Sequence, residues 1–179
     1  MKTHLPTISR KTFLRTLLPA LAVSLLAACS STPDNGSDLA SVDGTNSSGI
    51  PKLSAAALAK LRDPNSPLSK RSVFFDFDQY DVKGEYKNQL QAHAKFIASE
   101  PNARVLIQGN TDDRGSREYN LALGQRRADA VKKQLVLMGA PESQIESVSL
   151  GKEKPRALGN NEAAWAENRR ADMLYNGEY

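Results

Sequence analysis

Between Val73 and Tyr175 the apolar residues change period again and again, and that alternation constrains the fold more than any other feature of the chain. Val73-Phe74-Phe75-Asp76-Phe77 has the aromatic, β-prone content of a strand. Tyr86, Leu90, His93, Ala94 and Ile97 then recur at helical spacing, and Pro101 closes that helix region. Arg104 to Gln108 reads as a second strand, apolar enough to be buried on both faces. A polar loop, Gly109 to Ser116, leads into a long helix. On it Leu121, Gly124, Ala128, Val131, Leu135 and Met138 alternate spacings of three and four, and Gly139 and Pro141 stop it. Ile145 to Leu150 is a third strand, Glu162 to Glu167 a short helical turn, and Ala171 to Tyr175 a last strand. The order β-α-β-α-β-α-β over about a hundred residues predicts a two-layer α/β sandwich, with the strand order left open.

Upstream the chain has a different character. Lys2, Arg10, Lys11 and Arg15 form a basic leader, no acidic residue precedes Asp34, and an apolar run from Leu17 ends in Leu26-Ala27-Ala28-Cys29. A charged leader, a short apolar core and small residues before a cut describe a secretory signal peptide over residues 1–28. The alternative is an uncleaved membrane anchor, but the run of about twelve residues is well short of the ~20 a spanning helix needs. Cys29 is the only cysteine, so a lone thiol in an exported chain has to be reactive, pairing or modified. Leu-Ala-Ala-Cys looks like a lipobox, in which the cysteine is lipidated and becomes the new N-terminus. Each buried methylene adds roughly 0.8 kcal/mol, so one acyl chain holds only marginally and several hold firmly. Ser30 stands where such lipoproteins use aspartate to stay in the inner membrane, which favours the outer membrane.

Removing residues 1–28 also changes the charge argument. The whole chain has 24 basic and 20 acidic residues, formally +4. The leader holds four of those cations and none of the anions, so the remainder is formally neutral. The positive excess belongs to the leader, and no nucleic-acid partner is implied. From Ser30 to about Lys70 the composition shifts to Ser, Thr, Asn, Asp, Gly and Pro, with only Leu39, Val42 and Ile50 as larger apolar residues up to Pro51. Residues 29–71 therefore read as a lipidated N-terminus and flexible linker, and residues 72–179 as the folded domain. Leu53 to Leu61 is the one Ala- and Leu-rich stretch in the linker with helical content, closed off by Pro64 and Pro67. A linker of roughly forty residues spans ~35 Å as a coil, and fully extended it reaches ~130 Å.

Three motifs carry a resemblance. Val73-Phe-Phe-Asp-Phe-Asp-Gln-Tyr-Asp81, Gly109-Asn-Thr-Asp-Asp-Arg-Gly-Ser-Arg-Glu-Tyr-Asn120 and Leu123-Gly-Gln-Arg-Arg-Ala-Asp-Ala-Val131 resemble the OmpA-like peptidoglycan-binding domain. The tail, Gly151-Lys-Glu-Lys-Pro155 with Asn160-Asn-Glu-Ala-Ala-Trp-Ala-Glu-Asn-Arg-Arg-Ala171, is similar to that of the peptidoglycan-associated lipoproteins of the Tol–Pal system. The resemblance covers residues 72 to 175. It implies an α+β domain with a mixed sheet of about four strands and helices on one face. It further implies non-covalent binding of the diaminopimelate stem peptide of peptidoglycan, tethering of the outer membrane through acylated Cys29, and a periplasmic β-propeller protein of the Tol system as partner. Asp112 and Arg127 match the family's ligand-holding aspartate and arginine, and Phe77, Asp78, Arg114 and Leu123 match further pocket positions.

The residues themselves suit that chemistry. A stem peptide presents carboxylates and an ammonium close together, so its site needs a fixed anion and a fixed cation at short range. Asp112 lies in a loop after a strand, and Arg127 lies on the helix that follows. At 100° per residue Arg127 falls ~70° from the centre of the apolar stripe, whereas Arg126 points away from it. That places Arg127 at the margin between core and solvent, where its planar fork would face a carboxylate. A plain Asp112–Arg127 salt bridge tying loop to helix is the structural alternative. If the pair holds ligand, replacing Arg127 is expected to cost fold stability only modestly, whereas the salt bridge predicts a lower melting temperature. Asp113, Arg117 and Arg126 read as solvated charges, and Asn120 as an organiser of the loop through backbone hydrogen bonds.

Enzyme readings fare badly. His4 leaves with the leader, and the remaining histidine, His93, sits on an apolar stripe as a core residue would. One histidine and no free thiol rule out the usual zinc-hydrolase ligand sets, so no metal is expected. No nucleophile motif accompanies His93. Neither Gly-x-Gly-x-x-Gly nor a phosphate loop occurs, so no cofactor is implied. Acidic pairs such as Asp76 with Asp78, or Asp112 with Asp113, leave a wall-cleaving hydrolase as the rival class. A motor stator anchor would need a spanning helix near the N-terminus, and an eight-stranded barrel would need more chain than lies between Cys29 and the domain.

Overall fold

In the computed structural model, which describes residues 51–179, the alternating periods become one mixed sheet with helices packed on it. The expected signal peptide, Cys29 and the first part of the linker lie outside the described residues. Among the described residues no helix is long and apolar enough to cross a membrane. In chain order the elements are α1 (Ala55–Arg62), β1 (Ser72–Phe74), α2 (Lys87–Ser99), β2 (Val105–Asn110), α3 (Arg117–Leu137), β3 (Ile145–Gly151), α4 (Glu162–Asn168) and β4 (Arg170–Tyr175). The strands lie in the order β1-β4-β2-β3. β4 runs antiparallel to both neighbours, Val73 facing Ala171 and Ile107 facing Met173, while β2 and β3 are parallel with Ile107 facing Ser147.

Strand alternation sends Val73, Val105, Ile107, Ala171, Met173 and Tyr175 to one face, where each is at most 1% exposed. Against them α2 places Leu90, Ala94 and Ile97, and α3 places Ala128, Val131 and Leu135. Burial of each larger aliphatic side chain contributes about 1.5–3 kcal/mol. The other face is less covered. Leu106 and Gln108 are only half-buried, which corrects the expectation that this strand is buried on both faces. The helices cover one side of the sheet, so its apolar content exceeds what the fold buries.

α3 crosses the end of β2 at van der Waals contact. A Cβ on Gly109 would lie 1.8 Å from the Gly124 carbonyl oxygen, so neither backbone leaves room for a side chain there. This close crossing fixes where the loop between β2 and α3 must sit. Ser116 caps α3 by accepting the Tyr119 N–H at 3.1 Å.

Two boundaries differ from expectation. β1 stops at Phe74, and residues 75–77, expected to continue it, leave the ladder after Phe75 N–H donates to Arg169 O at 2.9 Å. The domain also begins before Ser72. Ser54 caps α1, and Leu53, Ala57, Leu61 and Leu68 join the main apolar cluster. Arg71 Nη2 donates to Leu61 O at 2.9 Å and ties the helix end to the strand entrance. The helical content expected at Leu53 to Leu61 is therefore part of the folded domain and not of the linker, its apolar spacing 53, 57, 61 facing the core.

Candidate functional site

β2 delivers the backbone to Asn110, and the polar loop that follows turns it into the first turn of α3. The chain leaving β1 folds over the same spot. Between them lies a cavity of about 250 Å³ bordered by Phe77, Asp78, Thr111, Asp112, Arg114, Gly115, Tyr119, Asn120, Leu123 and Arg127. All six residues singled out from the sequence border it together.

Asp112 is the buried anion of the site, 5% exposed. Its Oδ1 accepts from Arg114 Nε (3.2 Å) and from the Arg114 backbone N–H (3.2 Å), and its Oδ2 accepts from Arg114 Nη2 at 2.7 Å. Arg169 Nη1 lies 3.5 Å from the same Oδ2. Burial pushes the Asp112 carboxyl up, but the bonds from Arg114 and the charge of Arg169 outweigh it and hold the group below the usual range. The carboxylate is ionised and ringed by cations.

Arg127 is fully buried, which corrects its expected place at the rim. Its Nε donates to Gln79 O (2.8 Å), its Nη1 to Asn110 O (2.9 Å) and its Nη2 to Asp76 O (3.2 Å). The guanidinium carbon also stands 5.2 Å from the Phe75 ring centroid. The side chain thus pins the turn after β1 to the end of β2 and forms the cavity floor. Neither sequence-level alternative is met in full. Among the described residues Arg127 makes no direct ion pair with Asp112, and three backbone carbonyls take its donors. Burial lowers its pKa to about 10, against the stabilising field of Asp112, so the group stays charged at neutral pH.

The remaining lining sets the rim. Asp78 adopts a left-handed backbone at φ 58°, which places its carboxylate to accept from the Tyr119 hydroxyl. Phe77 is 58% exposed and gives the rim an apolar face. Leu123 supplies an apolar wall. Asn120 organises the loop as its type suggested, donating to Arg114 O (2.7 Å) and Ser116 O (3.0 Å). Arg126 and Arg117 are exposed as expected, the latter pairing with Glu153. Asp113 is exposed too, but it accepts the Trp165 indole N–H at 2.7 Å and so is more than a solvated charge.

Thr111, Gly115 and Tyr119 lie within a motif quoted from the sequence, yet no spacing rule assigned them to the lining. Trp165 and Arg169 were further from reach. They follow Asp112 by more than fifty residues, and only the return of the chain through α4 brings them to the rim. The concavity is bordered by anions (Asp78, Asp112) and by the cation Arg114, with the charge of the buried Arg127 beneath them. That arrangement suits a compact ligand carrying both signs of charge.

Residues 74–169 match the OmpA family. The chain is 42% identical to the peptidoglycan-associated lipoprotein of Haemophilus influenzae over 163 residues, 91% of this chain and 98% of that one. It is 52% identical to the protein of the same name from Pasteurella multocida over 58% of this chain and 69% of that one. The crystal structure of the peptidoglycan-associated lipoprotein from Burkholderia pseudomallei is 61% identical and superposes with a TM-score of 0.64, covering 65% of this chain and 98% of that one. The C-terminal domain of Helicobacter pylori MotB shares the fold at 20% identity, with a TM-score of 0.55 over 59% of this chain and 84% of that one.

Proposed function

We propose, since the chain belongs to the OmpA family and within it to the peptidoglycan-associated lipoproteins, that its domain binds the diaminopimelate stem peptide of peptidoglycan and tethers the outer membrane to the wall. The observation that carries this reading is the cavity at the β2–α3 turn, which two carboxylates and two guanidiniums border, with Arg114 paired to Asp112. A diaminopimelate side chain bears one ammonium and one carboxylate on the same carbon, so its two charges need opposite partners a few ångströms apart. Phe77, Asp78, Asp112, Arg114, Leu123 and Arg127 form the binding surface. Acylation of Cys29 anchors the chain, and the tether between Cys29 and the folded domain lets that domain search the wall. The periplasmic β-propeller protein of the Tol system is its protein partner. The domain binds its ligand and does no chemistry on it.

Co-sedimentation with intact sacculi tests the reading. Purified protein is expected to pellet with sacculi, to be released by stem peptide containing diaminopimelate, and to liberate no soluble fragments on long incubation. Soluble muropeptides that vanish in Asp78→Asn or Asp112→Asn would make the protein a hydrolase instead. Cys29→Ala is expected to fractionate away from the outer membrane. An alanine variant that stays there at unchanged mass would remove the lipid anchor from the account.

A further inference from the structure

Arg114 stands in an odd position for a pocket residue: it occupies the anion that the ligand needs. We propose that Arg114 is a latch, an internal cation that the ligand's ammonium replaces on Asp112, and that Trp165 is the positioning residue which, with Phe77, holds the latch shut. The proposal rests on the reading of the cavity as a stem-peptide site.

The geometry has three parts. The Arg114 guanidinium carbon lies 4.1 Å from the Phe77 ring centroid and 4.0 Å from that of Trp165. A planar cation can be flanked by aromatic rings and still present its N–H edge, and here that edge meets both oxygens of Asp112. The indole is itself fixed, since its N–H donates to Asp113 Oδ1 at 2.7 Å. Lys152 Nζ braces the same loop through the carbonyls of Asp113 (3.1 Å) and Gly115 (2.7 Å).

The hydrogen-bond and ion-pair partners of the Asp112 carboxylate are Arg114 and Arg169, so an arriving ammonium competes with these two cations for its oxygens. Arg169 cannot leave easily. Its side chain is 7% exposed, and Nε and Nη2 are held by Phe75 O (3.0 Å) and Glu162 Oε1 (2.6 Å). The Arg114 side chain is 33% exposed, so it can swing into solvent or turn towards a ligand carboxylate. When it does, Arg169 Nη1 remains 3.5 Å from Oδ2. That nitrogen is buried and makes no hydrogen bond among the described residues, so it is free to keep the carboxylate oriented. Phe77 then loses a partner and offers its exposed ring to the ligand.

Trp165 is the only tryptophan of the chain, so its emission reports the latch without any label. The probe is the stem tripeptide ending in meso-diaminopimelate, followed in parallel by calorimetry and by tryptophan emission on the purified protein. The expected result is a saturable emission change whose midpoint equals the calorimetric Kd. Arg114→Leu, already unlatched, is expected to show the altered emission before ligand is added. Trp165→Leu removes one of the two flanking rings, and calorimetry is expected to give binding about fivefold tighter, because less stacking must be broken. Heat of binding with unchanged wild-type emission overturns the latch and leaves the function intact. Weaker binding in Trp165→Leu overturns it too, since that is what a simple ligand-contacting ring predicts. No heat at all from the wild-type protein removes the stem-peptide reading, and the latch falls with it.

Discussion

Arg127 places a charged side chain on the buried face of α3, one turn after Leu123 and one turn before Val131. The phase angle set it at the edge of the stripe, and that estimate was sound for an isolated helix. What closes over it is the turn after β1, whose carbonyls of Asp76 and Gln79 come from a segment fifty residues away in sequence. The consequence reverses the expectation that its loss would cost stability only modestly. Arg127→Ala leaves three carbonyls without their donor and opens a cavity, and is expected to destabilise the fold by on the order of 3–5 kcal/mol. Arg127→Lys cannot reach three carbonyls from one ammonium and is expected to recover only part of that loss. Chemical denaturation of both variants beside Arg126→Ala, an exposed control, measures the difference. A near-native midpoint for Arg127→Ala would return the residue to the rim. Asn120 was legible at this scale, because an amide in the first turn of a helix that follows a polar loop can turn back and bond that loop's carbonyls, and Asp112 was legible through the motif it sits in.

At the scale of elements, the two long helices and three of the four strands fall where the periodicity puts them, within a residue or two. The exceptions have separate causes. β1 is shorter than its aromatic run because Phe75 and Phe77 serve packing and rim instead of a ladder. α1 was legible as a short helix but its place in the core was not, because linker composition on either side dilutes a stripe of only three residues. Leu61 decides between a helix that matters and an incidental one. It is 2% exposed and belongs to the main core, so Leu61→Ala is expected to cost about 2–5 kcal/mol. A true linker residue would cost nothing. Thermal melts of the two proteins, with retained sacculus binding at low temperature, distinguish these outcomes.

Over the whole molecule, His93 couples acid stability to the fold. Its Nδ1 faces the Tyr175 hydroxyl at 2.7 Å and its Nε2 the Lys70 carbonyl at 2.9 Å, so one ring joins α2, β4 and the entrance to β1. Burial, reinforced by the nearby charge of Arg71, lowers its pKa to about 4 from 6.5. The unfolded chain therefore takes up the proton first as pH falls, and the folded state loses stability between the two values. From about pH 7.5 to about pH 5 the loss attributable to this group is about 2 kcal/mol. Denaturation of wild type and His93→Gln across that range should show the slope in the first and its absence in the second. Equal slopes would assign the acid sensitivity to the carboxylates. The sequence alone established the core-facing character of His93, the two-layer class and the order of elements, because local periodicity is a property of neighbours along the chain, whereas the six residues that gather at one cavity were named through the motifs' resemblance to the OmpA-like domain. The tertiary structure alone decided the strand order, the inclusion of α1, the burial of Arg127 and the meeting of Trp165 and Arg169 with Asp112. Those depend on contacts between distant segments, where closure of one element over another sets burial and charge.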